Sequence, residues 1–215
     1  MRRSEIVRAL ARVPPPDRPR AELEQVVTPP ELAADLLYAA DRWDGLAGRS
    51  VLDLGCGTGR LAIGAALLGA GPVVGVDADA TVLERAREAA RAAGVSVEFD
   101  RRDVAEYDRP TAIVLMNPPF GAQRAHADRP FWERAFALAE RSVHAFALAD
   151  SRSFIARRAV ARHAYVLETQ PVAWELGRTF PHHTRRRVML AVDRWAIRTE
   201  QNDERTRTSE TGTSR

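Results

Sequence analysis

Val51-Leu52-Asp53-Leu54 runs directly into Gly55-Cys56-Gly57-Thr58-Gly59 and then into the apolar stretch Arg60 to Ala70. A short apolar strand, a glycine-rich turn and a helix in immediate succession form the start of a βαβ unit, which commits the chain to a sheet with helices packed on its faces. The alternation continues. "PVVGVD" reads as a strand, and "ADATVLERAREAARAAG" as an amphipathic helix closed by Gly94. "VSVEF" and "TAIVLM" read as strands, "RPFWERAFALAERS" as a helix, "HAFALAD" as a strand and "SRSFIARRAVARH" as a helix. "AYVLETQPVAWEL" and "RRVMLAVDRWAI" close the fold as an antiparallel pair. The expected class is α/β, a doubly wound Rossmann-like sheet, mostly parallel with an antiparallel final strand.

The flanks differ in character. Residues 1–22 are polar and broken by "PPPDRPR", so a short N-terminal helix or disorder followed by an extended connector is expected there. The main domain is expected over 23–198. Residues 199–215 carry almost no apolar side chains and read as a disordered tail. Thr28-Pro29-Pro30-Glu31 has the form of a capping box, with Thr28 as N-cap and Glu31 at N3, ahead of Leu32, Ala33, Leu36, Leu37 and Ala40 at helical spacing.

Of the 215 residues, 45% are hydrophobic, enough for one sizeable core. A single cysteine excludes a disulfide framework or a cysteine-based zinc site within the chain and fits a reducing compartment. No run of about 18 uncharged apolar residues occurs, so a cytoplasmic protein with no membrane role is expected. The formal net charge of +3 is too small to demand nucleic acid, although every basic side chain is arginine. One cluster, Arg185-Arg186-Arg187 after "FPHHT", is dense enough to pair with phosphate. Of the adjacent His182 and His183, at most one can face a site, because neighbouring side chains in extended backbone point opposite ways. The five histidines show no metal-ligand spacing, and no metal is expected.

Gly55, Gly57 and Gly59 let the backbone turn tightly and approach a ligand. The pattern is G-x-G-x-G and not the dinucleotide G-x-G-x-x-G. Asp77 ends the second strand, where a doubly wound fold places the carboxylate that accepts two ribose hydroxyls. Asp103 follows the third strand. Asp53, just before the glycines, suits a cationic or amino-acid ligand better than a phosphate. A strand-end aspartate can equally cap the next helix, but three of them with the glycine loop point to a cofactor.

"IVLMNPPFGAQ" carries the second signal. Pro118 and Pro119 cannot continue a ladder, and each holds the residue before it out of the helical region. Asn117 and Phe120 therefore sit on a stiff loop at a strand's C-terminal edge, suited to holding and stacking a flat polar group.

The segment Asp53 to Gly59 resembles motif I of class I S-adenosylmethionine-dependent methyltransferases, and Asn117-Pro118-Pro119-Phe120 resembles their motif IV for amino-group substrates. "LEQVVTPPELAADLLY", "GAALLGAGPVVGVDAD" and "MNPPFGAQ" together resemble the methyltransferase-like protein 5 family, which makes N6-methyladenosine in small-subunit ribosomal RNA. The resemblance runs from about Leu23 to Trp195. It implies a seven-stranded methyltransferase sheet with S-adenosyl-L-methionine as cofactor. Gln25 and Thr28 would reach the methionine end, and the Gly55 to Arg60 loop, with Gly55, Gly57, Thr58 and Arg60, would line the cofactor's backbone, Asp53 lying just before it among the cofactor-binding residues. Asp77 would take the ribose, and Asp103 with Val104 the adenine. His183 and Arg185 to Arg187 would contact RNA, which is as compatible with a solvated basic edge. Cys56 is loop filler. The resemblance also implies a small zinc-ribbon activator protein pairing with an exposed strand edge, for which Val95 to Phe99 is the candidate.

In such a site the Asn117 side-chain oxygen and the Pro118 carbonyl would accept the two N–H groups of an exocyclic amine, and Phe120 would stack on the ring, a contact worth roughly 1–3 kcal/mol. Positioning would supply most of the effect, and the target base must be unpaired or flipped out. Guanine-N2 methylation of ribosomal RNA, glutamine-N5 methylation of protein and DNA adenine methylation remain open alternatives, and a non-catalytic binding module stands outside them.

Overall fold

In the computed structural model, which describes residues 1–17, 20, 27–121, 125–177 and 187–199, one sheet of seven strands runs in the order β3-β2-β1-β4-β5-β7-β6. The strands are β1 (Val51–Leu54), β2 (Val73–Asp77), β3 (Glu98–Arg101), β4 (Thr111–Met116), β5 (Ala139–Leu148), β6 (Ala164–Gly177) and β7 (Arg187–Thr199). The first five are parallel, and β7 runs antiparallel to both β5 and β6. The doubly wound, mostly parallel sheet with an antiparallel final strand is therefore the observed architecture.

The helices are α1 (Arg3–Leu10), α2 (Pro30–Asp44), α3 (Arg60–Leu67), α4 (Ala80–Ala93), α5 (Arg129–Leu138) and α6 (Arg152–Ala161). Strand alternation divides the interior in two. Ile113 and Leu115 of β4 and Val51 of β1 join a core with α1 to α4, and Val114, Met116, Leu52 and Leu54 join a second core with α5 and α6. With both faces covered, β1 is buried throughout, which accounts for its unbroken apolar run. At the N-terminus the structure contains the short helix, and Ile6, Leu10 and Val13 are fully or nearly fully buried in the first core.

Three local expectations are corrected. Thr28 does not cap α2: the N-cap is Pro29, no side-chain cap bond forms, and the helix starts with Pro30. The helix expected over Arg129 to Ser142 ends at Leu138, because Ala139 onward pairs with β4 and then β7, so strand pairing overrides the helical propensity of its Ala and Leu residues. Of the expected Val95 to Phe99 strand only Glu98 and Phe99 lie within β3, while Val95 and Val97 pack half-buried on the first core. At the C-terminal boundary β7 extends through Thr199, which pairs with Ala164.

A buried polar cluster ties α2 to the sheet. The Asp44 carboxylate accepts from Ser142 Oγ (2.7 Å) and Arg198 Nη1 (2.9 Å) and lies 3.0 Å from His144 Nε2. Desolvation holds the His144 imidazole below its usual pKa. Among the described residues no helix is long and apolar enough to cross a membrane, and no group of three or more His, Cys, Asp or Glu side chains could hold a metal ion.

Candidate active site

β1 and β4 are neighbours, yet their onward connections leave in opposite directions, so a crevice opens at their C-terminal ends, the position where doubly wound folds take ligands. Leu54 and Met116 are paired in register, which sets Gly55 and Asn117 side by side at the mouth. The crevice has a volume of ≈ 580 Å³, within the usual range of about 300–1,000 Å³ for small-molecule sites.

The glycine loop forms its floor, with Gly55, Gly57, Thr58 and Arg60 all lining it. Gly55 adopts φ +71°, and a Cβ there would stand 2.7 Å from the Phe131 ring, so only glycine fits. Gly55 and Cys56 both donate backbone N–H groups to Val76 O (2.8 and 3.0 Å), anchoring the loop to β2. Cys56 is buried, and desolvation pushes its thiol well above the usual value, as expected of an inert filler.

The three acids lie along one wall with Val104. Asp77 Oδ2 accepts from Gly57 N (2.9 Å) and its Oδ1 from Asp79 N (3.0 Å), which fixes the plane of the carboxylate and leaves lone pairs on both oxygens. Burial raises its pKa. Asp103 Oδ1 accepts from Ala105 N (2.8 Å) at the start of a single 3₁₀ turn, Val104–Glu106. Asp53 is buried, and its Oδ2 accepts from Ala62 N (2.9 Å) in the first turn of α3. Desolvation, with the charge of Asp77 adding to it, pushes the Asp53 carboxyl up to about 7.

That value gives a pH prediction. The ordinary carboxyl pKa is about 3.9, so the folded state holds the Asp53 proton more tightly than the unfolded state does. The contribution is fully present below about pH 4 and is lost as pH rises through about 7. Neutral buried His144 acts in the opposite sense, losing stability as pH falls. The clean comparison is therefore between wild type and Asp53→Asn, which keeps an acceptor for Ala62 N–H. Thermal unfolding should show the Asn variant gaining on wild type from pH 5 to pH 8, and a constant difference would contradict the assignment.

On the opposite side, Asn117 and Pro119 line the crevice, while Pro118 is buried beneath it. Asn117 Nδ2 donates to Thr28 Oγ1 (3.0 Å), so the hydroxyl expected at the helix cap is engaged with the residue that precedes Pro118. Phe120 does not present its ring to the crevice. It packs edge-on against Trp174 (centroids 5.5 Å, 79°), half-buried on the first core, because the Phe120–Trp174–Phe146 group gives the ring apolar neighbours that solvent cannot. Arg60 has a second task besides lining the floor: its guanidinium donates to Thr28 O (2.5 Å) and Val13 O (2.6 Å).

Gln25, His183, Arg185 and Arg186 lie outside the described residues; Arg187 begins β7, opposite Gly177, with its backbone alone described. Residues not anticipated from sequence complete the lining: Pro16, Val27, His126, Arg129, Pro130 and Phe131. The signal was available, since ligand clefts in doubly wound sheets are built from all loops at the strands' C-terminal ends, and the loop after β4 continues to the start of α5. His126 also adopts a left-handed φ of +66°, a strained value of the kind found at functional sites.

The lining offers a fixed carboxylate at Asp77 with lone pairs on both oxygens and a buried acid at Asp53, a donor set of the kind that a nucleoside with an amino-acid end would use.

Residues 51–145 match the family model described as a methyltransferase domain. The rRNA N(6)-adenosine-methyltransferase Mettl5 of Drosophila melanogaster is 32% identical over 190 residues, covering 83% of this chain and 88% of the fly protein. An uncharacterised protein of Methanocaldococcus jannaschii is 40% identical over 136 residues, which span 57% of this chain and 60% of that protein. A crystal structure from Pyrococcus horikoshii, described as a candidate RNA methyltransferase, superposes with a TM-score of 0.85 at 32% identity, covering 94% of this chain and 98% of that one.

Proposed function

The chain belongs to the family of the rRNA N(6)-adenosine-methyltransferase METTL5, and from that premise we propose that it methylates the N6 amino group of an adenosine in structured RNA, in the small-subunit ribosomal RNA. The observation that carries this reading is the placement of Asn117 at the mouth of the crevice, beside the glycine loop and across from Asp77. S-adenosyl-L-methionine, when bound, supplies an electrophilic methyl group on a sulfonium. Asp77 would hold its ribose, Asp103 and Val104 its adenine, the Gly55–Arg60 loop its backbone, and Asp53, Thr28 and Gln25 its amino-acid end.

The acceptor side is the work of this chain. An adenine amine is a poor nucleophile because its lone pair is delocalised into the ring. The Asn117 side-chain oxygen and the Pro118 carbonyl accept its two N–H groups, which favours a pyramidal nitrogen aimed at the methyl carbon. The amine held by Asn117 and Pro118 would take the methyl group, sulfur keeping the electrons of its former bond to carbon, and the extra N–H proton would leave to solvent. Phe120, packed edge-on against Trp174, would stack on the base in the RNA-bound state. His183 and Arg185 to Arg187 meet the RNA backbone, which neutralised phosphates would make salt-dependent. The catalytic domain is taken as residues 23–198, and the location as cytoplasmic.

A partner is part of the same reading. β3 is a sheet edge, and a small zinc-ribbon activator protein would add a strand there. The edge is short and flanked by ion pairs, Arg109 with Glu98 (2.7 Å) and Arg102 with Asp100 (3.6 Å), so specificity would come from charge as well as strand pairing. Co-expression with such a protein should raise soluble yield and activity; a chain fully stable and active alone removes the motive for it.

Purified chain, labelled cofactor, and separate pools of RNA, DNA and protein test the function. Label should enter RNA and depend on Asn117. Transfer into protein would instead mark a glutamine methyltransferase, and transfer into DNA a DNA adenine enzyme.

A further inference from the structure

Two pre-proline residues face each other at the mouth of the crevice: Thr28 before Pro29-Pro30 and Asn117 before Pro118-Pro119. The following proline restricts each to extended backbone, so neither residue loses much freedom when their side chains meet. Asn117 Nδ2 donates to Thr28 Oγ1 at 3.0 Å, and Thr28 is 6% exposed. Thr28 is itself pinned: Arg60, 9% exposed, donates through Nη1 to the Thr28 carbonyl and through Nη2 to Val13 O, where the chain enters the segment that Thr28 ends. Arg60 is also the residue that leaves the glycine loop into α3.

We infer that Thr28 is a positioning residue for methyl transfer: by accepting from Asn117 Nδ2 it sets which end of the Asn117 amide faces the substrate amine, and Arg60 holds Thr28 in place to do so. The inference rests on the reading of Asn117 as the amine acceptor. The chemical reason is the asymmetry of the amide. Its oxygen attracts the N–H groups of an amine, whereas its NH₂ end would confront them with like-signed hydrogens. A half-turn about the last side-chain bond exchanges the two ends with almost no change in shape, so packing alone cannot choose between them. The Nδ2–Oγ1 hydrogen bond holds the amide in the orientation observed. Because Arg60 joins the Thr28 backbone to the start of α3, the aim of Asn117 is also tied to the loop on which the cofactor lies.

Thr28→Val keeps the shape and removes the acceptor, and Thr28→Ser restores it. At saturating cofactor, Thr28→Val should slow single-turnover methyl transfer by about tenfold or more through misalignment, with Thr28→Ser within a few-fold of wild type. In an Asn117→Ala background, Thr28→Val should cause no further loss of rate, because a residue acting through Asn117 has nothing left to position. The ligand-free protein provides a readout independent of activity. The Asn117 side-chain NH₂ signal in a ¹⁵N spectrum, identified by its disappearance in Asn117→Asp, should shift in Thr28→Val and return in Thr28→Ser. A wild-type rate for Thr28→Val at saturation, an equal further loss in the Asn117→Ala background, or an unmoved NH₂ signal would each overturn the inference. Label entering an acceptor other than RNA adenosine would overturn the functional reading instead, and the NH₂ signal would still decide the role of Thr28.

Discussion

Asn117→Ala is expected to slow methyl transfer by about 10²-fold or more at saturating cofactor, with cofactor affinity changed only a few-fold. The split follows from where Asn117 sits. It directly follows β4 at the mouth of the crevice, beside the glycine loop but not part of it. Removing its amide takes one acceptor from the amine and leaves the nitrogen free to rotate out of line. A single hydrogen bond contributes only about 0.5–1.5 kcal/mol to stability, so the fold should survive. The hydrogen bond to Thr28 Oγ1 is lost with it, which loosens the mouth without opening either core. Single-turnover rates and calorimetric titration decide the point. Near-normal transfer would leave the di-proline loop as a structural turn.

Asp77→Ala is expected to remove measurable cofactor binding while cooperative unfolding is retained. Two losses add. The variant lacks the acceptors for a ribose diol, and it releases Gly57 N–H and Asp79 N–H, which the carboxylate now holds at 2.9 and 3.0 Å. A slack glycine loop then costs affinity beyond the missing contacts. Asp77→Asn retains one acceptor oxygen of nearly the same shape, so an intermediate loss of about 10- to 100-fold is expected, the equivalent of one charged hydrogen bond at roughly 1.5–3 kcal/mol. Unchanged affinity in Asp77→Ala would rule out the ribose assignment.

Much of this was legible from residues 50 to 120, and for physical reasons. β1 and β4 are covered on both faces, so they had to appear as unbroken apolar runs, and the turn between β1 and α3 needed glycines because Gly55, Gly57 and Gly59 all adopt positive φ, Gly55 also lying against the Phe131 ring. Gly94 in the left-handed region marked the end of α4. What was misread depended on partners distant in sequence. Thr28 sits before two prolines ahead of a helix, which is the local signature of a cap, yet its hydroxyl is engaged 89 residues away by Asn117. Ala139 to Ser142 have helical composition, yet β4 on one side and β7 on the other draw them into β5. Arg60 read only as a cofactor-lining residue at a helix start, because nothing local shows that the Val13 and Thr28 carbonyls converge on it. Phe131, the ring that makes Gly55 obligatory, lies 76 positions further along (131 − 55) and carries no motif of its own.

The central claim is that the nitrogen methylated at this crevice is the N6 amine of an RNA adenosine. Small-subunit ribosomal RNA incubated with the chain and a cofactor carrying a deuterated methyl group, digested to nucleosides and resolved by mass spectrometry, tests it most directly. Deuterated N6-methyladenosine is expected, and its absence when Asn117→Ala replaces the wild type. Deuterated N2-methylguanosine, or label confined to protein, would contradict it.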